Sequence, residues 1–172
     1  MLQDYRDYFF KLHDVECNQK YNDTLPYSFH LKMVEGVALK FRHLIYADEP
    51  YYTATWIGIY GHDSIEDARL TYNDIKEKFG EVSAEIIFLC TQDKGRNRDA
   101  RKSDAWYEEL KKNDLAVFVK LCDIIANVQF SFLTESSMFK KYKSEYSKKV
   151  KPHLYCDQYK EMFEYLEKIF QL

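Results

Sequence analysis

Glycine and proline are scarce, at five and three residues in a chain of 172. Sheet folds need many turns, and turns draw on these two residues, so their scarcity favours helices. Cysteine is sparse as well. Cys17, Cys90, Cys122 and Cys156 stand far apart and form no C-x-x-C pair. They read as small hydrophobes in a reducing, cytoplasmic compartment rather than as a disulfide framework. Residues 1–16 mix Asp, Arg, Lys and His among the apolar positions, so no signal peptide is expected there. No apolar run looks long enough to span a membrane. A net charge of −3 gives no overall positive field for a nucleic acid polymer, and phosphate binding would need a local patch.

Hydrophobic residues make up 46% and charged residues 31%, a composition that can bury a core. The length fits one domain over 1–172. Fifteen Tyr and twelve Phe are expected mostly in the core and on half-buried helix faces. Periodicity predicts helices over 2–16, from Pro26 through Phe41, and over 51–62. Thr71 with Asp74 marks a capped start for a short helix that ends at Gly80. Further helices are predicted over 82–90, 104–111, 115–128, near 135–146, and from about 158 to 170. The segment 115–128 is apolar nearly all round and is the expected central helix. The fold class is therefore all-α, a bundle of roughly seven to nine helices.

Polar residues interrupt three of these apolar helices. His30 lies just inside the second and His62-Asp63 ends the third, where the pair is expected to emerge from the core. Asp123 sits in the central helix. A carboxylate in such a setting is costly unless paired or metal-bound. Asp123 alone fits a salt bridge to Lys or Arg as well as it fits a metal, and His30 alone fits a satisfied core histidine. Taken together, two nitrogens and two carboxylates can hold one divalent ion. The mixed set suits Mn²⁺ more than Fe²⁺, Co²⁺ or Zn²⁺. Glu66 and Asp67 follow within a turn, as helix-terminal charges or as the base that serves an attacking water. The set points to hydrolysis of a phosphate ester. His13, His43 and His153 lack such a context and are expected on the surface. The segment 91–102 carries Lys94, Arg96, Arg98, Arg101 and Lys102, either as a solvated loop or as a phosphate clamp. It reads as the one dense positive cluster near a site entrance.

The order His30, His62-Asp63, Asp123 resembles the H…HD…D signature of HD-domain metal-dependent phosphohydrolases. Pro26-Tyr27-Ser28-Phe29-His30, His62-Asp63-Ser64-Ile65-Glu66-Asp67, Thr91-Gln92-Asp93-Lys94, Arg101-Lys102, and Lys120-Leu121-Cys122-Asp123 with Asn127 are similar to successive motifs of the RelA/SpoT hydrolase domain. They are most similar to its single-domain form, the small alarmone hydrolases. The resemblance spans about residues 5 to 146. It implies a compact HD-type bundle with His30, His62, Asp63 and Asp123 on Mn²⁺, Glu66 and Asp67 catalytic, and Asn127 on the substrate. The implied partner is a phosphorylated nucleotide, and the implied reaction removes the 3′-pyrophosphate of guanosine tetra- or pentaphosphate. Gln19-Lys20-Tyr21 stands where that family usually has an arginine, which makes Lys20 a candidate substrate contact. Ile124 replaces another common arginine. An HD nucleotidase acting on another nucleotide, and a silent nucleotide- or partner-binding module, are the competing readings.

Overall fold

A computed structural model of the chain describes residues 2–45, 48–92 and 95–172. The architecture is all-α, with one two-stranded hairpin among the described residues. Helix α1 (Leu2–Lys11) runs into a π-helical turn, Leu12–Glu16. The hairpin follows, β1 (Lys20–Tyr21) pairing antiparallel with β2 (Leu25–Pro26). Its turn places Asn22 and Asp23 at φ 49° and 65°, a left-handed conformation that these two residue types tolerate best. Then come α2 (Tyr27–Phe41), α3 (Tyr51–Gly61), the single turn α4 (Ser64–Asp67), α5 (Tyr72–Phe79) and α6 (Glu81–Cys90). The second half holds α7 (Arg98–Arg101), α8 (Asp104–Leu110), α9 (Asp114–Leu133) and α10 (Met138–Glu145). A π-helical turn, Tyr146–Val150, leads into α11 (Lys151–Leu154), and α12 (Lys160–Gln171) closes the chain.

Local chemistry sets several of these boundaries. Thr71 and Asp74 form the expected capping box at the start of α5, and Gly80, at φ 87°, ends it. Asn113 caps α9 by accepting from Ala116 N–H, and Ser103 caps α8 by accepting from Trp106 N–H. Helix α9 is the hub: α2, α3, α6, α10 and α12 all pack on it. It reaches Leu133, five residues beyond the expected end.

By length and composition alone α9 could cross a membrane, which corrects the expectation that no apolar run was long enough. Most of it is buried in the protein, because neighbouring helices rather than lipid cover its apolar flanks. The helix expected over 2–16 is α-helical only to Lys11. The one expected near 135–146 begins at Met138 and widens into the π turn Tyr146–Val150.

Two of the closest approaches lie under the end of α3. A Cβ at Gly61 would stand 2.6 Å from Phe9 Cζ and 2.7 Å from Ile87 Cδ1. Phe9 and Ile87 are fully buried, so neither can move aside cheaply. Gly61→Ala is expected to lower stability by about 1–3 kcal/mol, the usual cost of overpacking, seen as a lower urea midpoint at unchanged slope.

Candidate active site

Three helices deliver four side chains to one point. His30 comes from the first turn of α2, His62 and Asp63 from the end of α3, and Asp123 from the middle of α9. His30 Nε2 lies 3.3 Å from His62 Nε2, 3.4 Å from Asp123 Oδ1 and 3.7 Å from Asp63 Oδ2. His62 Nε2 lies 2.9 Å from Asp63 Oδ2 and 3.8 Å from Asp123 Oδ1. Donor atoms that bond one ion at about 2.0–2.2 Å stand roughly this far from each other. His30, His62 and Asp123 form a group able to hold a metal ion.

The surroundings aim these groups inward. His62 Nδ1 lies 3.0 Å from the Ile59 carbonyl and can only donate to it, which leaves Nε2 facing the centre. His30 is held by stacking instead. Its ring lies against Tyr21 at 4.9 Å and 15°, while its Nδ1 is buried without a hydrogen-bond partner among the described residues. The Tyr27 hydroxyl donates to Asp63 Oδ2. Asn127 Nδ2 donates to Asp123 Oδ1 at 2.5 Å and to its carbonyl at 3.1 Å, and the Tyr21 hydroxyl donates to Asn127 Oδ1 at 2.9 Å. Contrary to expectation, His62 does not emerge from the core. It has no exposed surface, because Ser64 folds back onto the Gly61 carbonyl and keeps the end of α3 covered.

Asp123 makes the salt bridge that was one of the two alternatives open to it. Its Oδ2 pairs with Lys120 Nζ at 2.9 Å, one turn earlier on α9, while its Oδ1 faces the histidines. Burial works to raise the Asp123 pKa, but Lys120 and the two histidines hold it well below the usual range. Burial likewise works to lower His62, yet Asp63 and Asp123 lift it to about 9. The cluster thus draws positive charge to its centre. Lys120 stood within a quoted motif, but its own role was not assigned; its spacing of three residues from Asp123 was the available signal.

A cavity of about 180 Å³ opens beside the cluster. His30, Asp63, Asp123, Glu66, Asp67, Arg98, Lys102 and Asn127 all line it, with Tyr21, Tyr27, Lys120, Ile124, Tyr142 and Glu145. Glu66 and Asp67 are both pushed above the usual carboxylate pKa, first by desolvation and then by the charge of Asp63. Arg101 lies at the rim, 3.7 Å from Glu66 Oε1. Arg98 Nε bonds Glu145 Oε2 at 2.7 Å, and the nearly buried Lys102 pairs with Glu145 Oε1. Arg96 and Lys20 are exposed and do not line the cavity; Tyr21, next to Lys20, does. Lys94 lies outside the described residues.

Two further expectations are corrected. His13 is fully buried rather than on the surface, because the π turn after α1 rolls it under the hairpin. It stacks on Tyr27 at 4.6 Å, and its Nδ1 meets Gln19 Oε1 at 2.6 Å, while Gln19 Nε2 donates to Asp67 Oδ2 at 2.9 Å. The segment 91–102 is not the one positive cluster beside the site. Lys140, Lys141, Lys148 and Lys149 line a hollow that shares Arg98 and Glu145 with the cavity. The helical stacking of α10 and the following π turn brings these lysines together.

No family model and no curated protein matches the sequence. Seven chains of solved structures do match in fold. One is a metazoan ortholog of SpoT, described as hydrolysing ppGpp and playing a role in starvation responses. It is 21% identical, with a TM-score of 0.75 over 99% of this chain and 93% of that one. The two proteins share a fold over nearly their whole lengths.

Asp123→Ala would leave the Lys120 ammonium buried with only Asp63 to offset it. A loss of about 3–5 kcal/mol is expected in denaturant unfolding. The pair Asp123→Leu with Lys120→Met should recover most of it, since the buried Lys120–Asp123 charges of α9 are then both removed.

Proposed function

We propose that this protein is a divalent-metal-dependent hydrolase of phosphorylated nucleotides, with guanosine 3′,5′-bis(diphosphate) as its substrate and pyrophosphate as a product. One observation carries the reading. Two histidines and two carboxylates from three helices converge beside a cavity that three of them, His30, Asp63 and Asp123, line together with two more carboxylates, Glu66 and Asp67. The fold shared with a protein described as hydrolysing ppGpp supports the same chemistry. We assign the whole chain, 1–172, to this one catalytic domain. Its four free thiols suit a cytoplasmic setting.

His30, His62 and Asp123 form a group able to hold one ion, Asp63 lies beside them, and this donor set would suit a hard-to-borderline divalent ion, Mn²⁺ before Fe²⁺, Co²⁺ or Zn²⁺. Such an ion lowers the pKa of water, orients a phosphate and offsets its charge. The remaining roles belong to the protein. Glu66, with its raised pKa, takes a proton from the attacking water, and Asp67, steadied by Gln19, orients that water. The water oxygen bonds the phosphorus attached to the ribose 3′ oxygen. That P–O bond breaks, the 3′ oxygen gains a proton, and pyrophosphate leaves. Arg98 and Lys102 hold phosphoryl oxygens at the far wall of the cavity. Asn127 steadies Asp123 and Tyr21 and stands where a ribose hydroxyl can reach it. A second reading, a nucleotidase releasing orthophosphate, draws on Glu145, which already offsets one of the two charges at Arg98 and Lys102. The released product separates the two.

Glu66→Gln and Asp67→Asn are each expected to cut turnover by about 10²–10⁴-fold with metal content unchanged by elemental analysis. Loss of the metal along with activity would make these residues ligands instead. Metal affinity should also depend on pH. In the metal-free protein His62 holds a proton up to about pH 9, whereas Asp63 and Asp123 are already ionised. Metal entry must displace that one proton. Apparent Mn²⁺ affinity, read by calorimetry, should therefore rise about tenfold per pH unit as pH approaches 9 and then level off.

A further inference from the structure

The cavity beside the metal-ligand cluster is small. Nucleotide-sized ligands usually occupy about 300–1,000 Å³, against about 180 Å³ here. A nucleotide phosphorylated at both ends must therefore extend beyond it. Three hollows adjoin the cavity through shared residues. One, about 120 Å³, meets it at Tyr21, Asn127 and Tyr142 and has no charged side chain among its lining residues. A second meets it at Gln92 and is mostly apolar, with Glu109 as its charged side chain. The third, about 500 Å³, meets it at Arg98 and Glu145 and is lined by Lys140, Lys141, Lys148 and Lys149. Lys149 is paired with Asp104. Lys140, Lys141 and Lys148 form no ion pair among the described residues and stand exposed.

Charge makes the same distinction. Inside the cavity Arg98 and Lys102 share Glu145, so that wall carries a net charge of one, less than a single phosphoryl end of such a substrate brings. The Arg98 guanidinium lies 5.3 Å above the Tyr142 ring and gives its Nε to Glu145, so it stands at the junction of cavity and groove. We propose that the groove lined by Lys140, Lys141 and Lys148 is a second anion-binding subsite, which takes the 5′ diphosphate while the 3′ end reacts at the metal cluster. The proposal rests on the functional reading above and extends it to the substrate's far end. The subsite selects nucleotides charged at both ends, because a singly phosphorylated one has nothing to place there.

The test is the variant Lys140→Gln/Lys141→Gln/Lys148→Gln, whose three positions are exposed and carry no packing. KM is measured at low ionic strength for guanosine 3′,5′-bis(diphosphate) and for guanosine 3′-diphosphate. The ratio of the first KM to the second is expected to rise about tenfold over wild type, the combined effect of three partly screened contacts. An unchanged ratio, whether because neither KM moves or because both move together, overturns the subsite. If the wild type releases pyrophosphate from neither nucleotide, the functional reading fails instead. Calorimetric titration with inorganic pyrophosphate then decides the groove by itself. Weaker binding to the variant supports it, and equal binding overturns it.

Discussion

A carboxylate buried in the long central helix of the protein is the constraint around which the rest is arranged. Asp123 sits on α9, the helix on which five others pack. An uncompensated charge there would cost a large part of the protein's margin of stability. The compensation comes from both sides, Lys120 on one oxygen and the two histidines on the other, with Asn127 closing the ring. Each of these groups is in turn fixed by another helix or by the hairpin. Core packing and site geometry are thus one problem with one solution, and the ligand positions inherit the rigidity of the hub helix.

How much could be read in advance follows from how local each signal was. The capping box at Thr71 and the glycine stop at Gly80 involve neighbours in sequence, and both appear where the pattern placed them. The apolar period of α9 was equally visible, as was the anomaly of Asp123 within it. The clustering of His30, His62, Asp63 and Asp123 was legible because each member broke an otherwise apolar face. The hairpin was not legible, since two-residue strands leave no alternation to detect. The burial of His13 depends on a π turn that shifts the helical register, and no residue pattern announces such a turn. Glu145 lay within a lysine-rich stretch whose charge hid the one acid that turns inward.

The hairpin has an importance out of proportion to its size. It carries Tyr21 over the face of His30 and places its hydroxyl on Asn127. Gln19, just before it, links buried His13 to Asp67. A short segment of irregular chain therefore supports one wall of the cavity from outside the helical bundle. Loops and hairpins tolerate sequence change better than helical cores do. This wall is accordingly where related folds can diverge in sequence while His30, His62, Asp63 and Asp123 stay clustered.

Under the function proposed above, the Arg98–Glu145–Lys102 arrangement would also bear on how the site empties. An anion that departs from two bare cations leaves both unpaired, and its release is slow for that reason. Here the Glu145 carboxylate is tethered beside the same two cations and can rejoin them as the departing anion loosens. Dissociation becomes an exchange of partners rather than a separation of charges. A built-in competitor of this kind weakens the hold on every anion, product included, and favours turnover over retention.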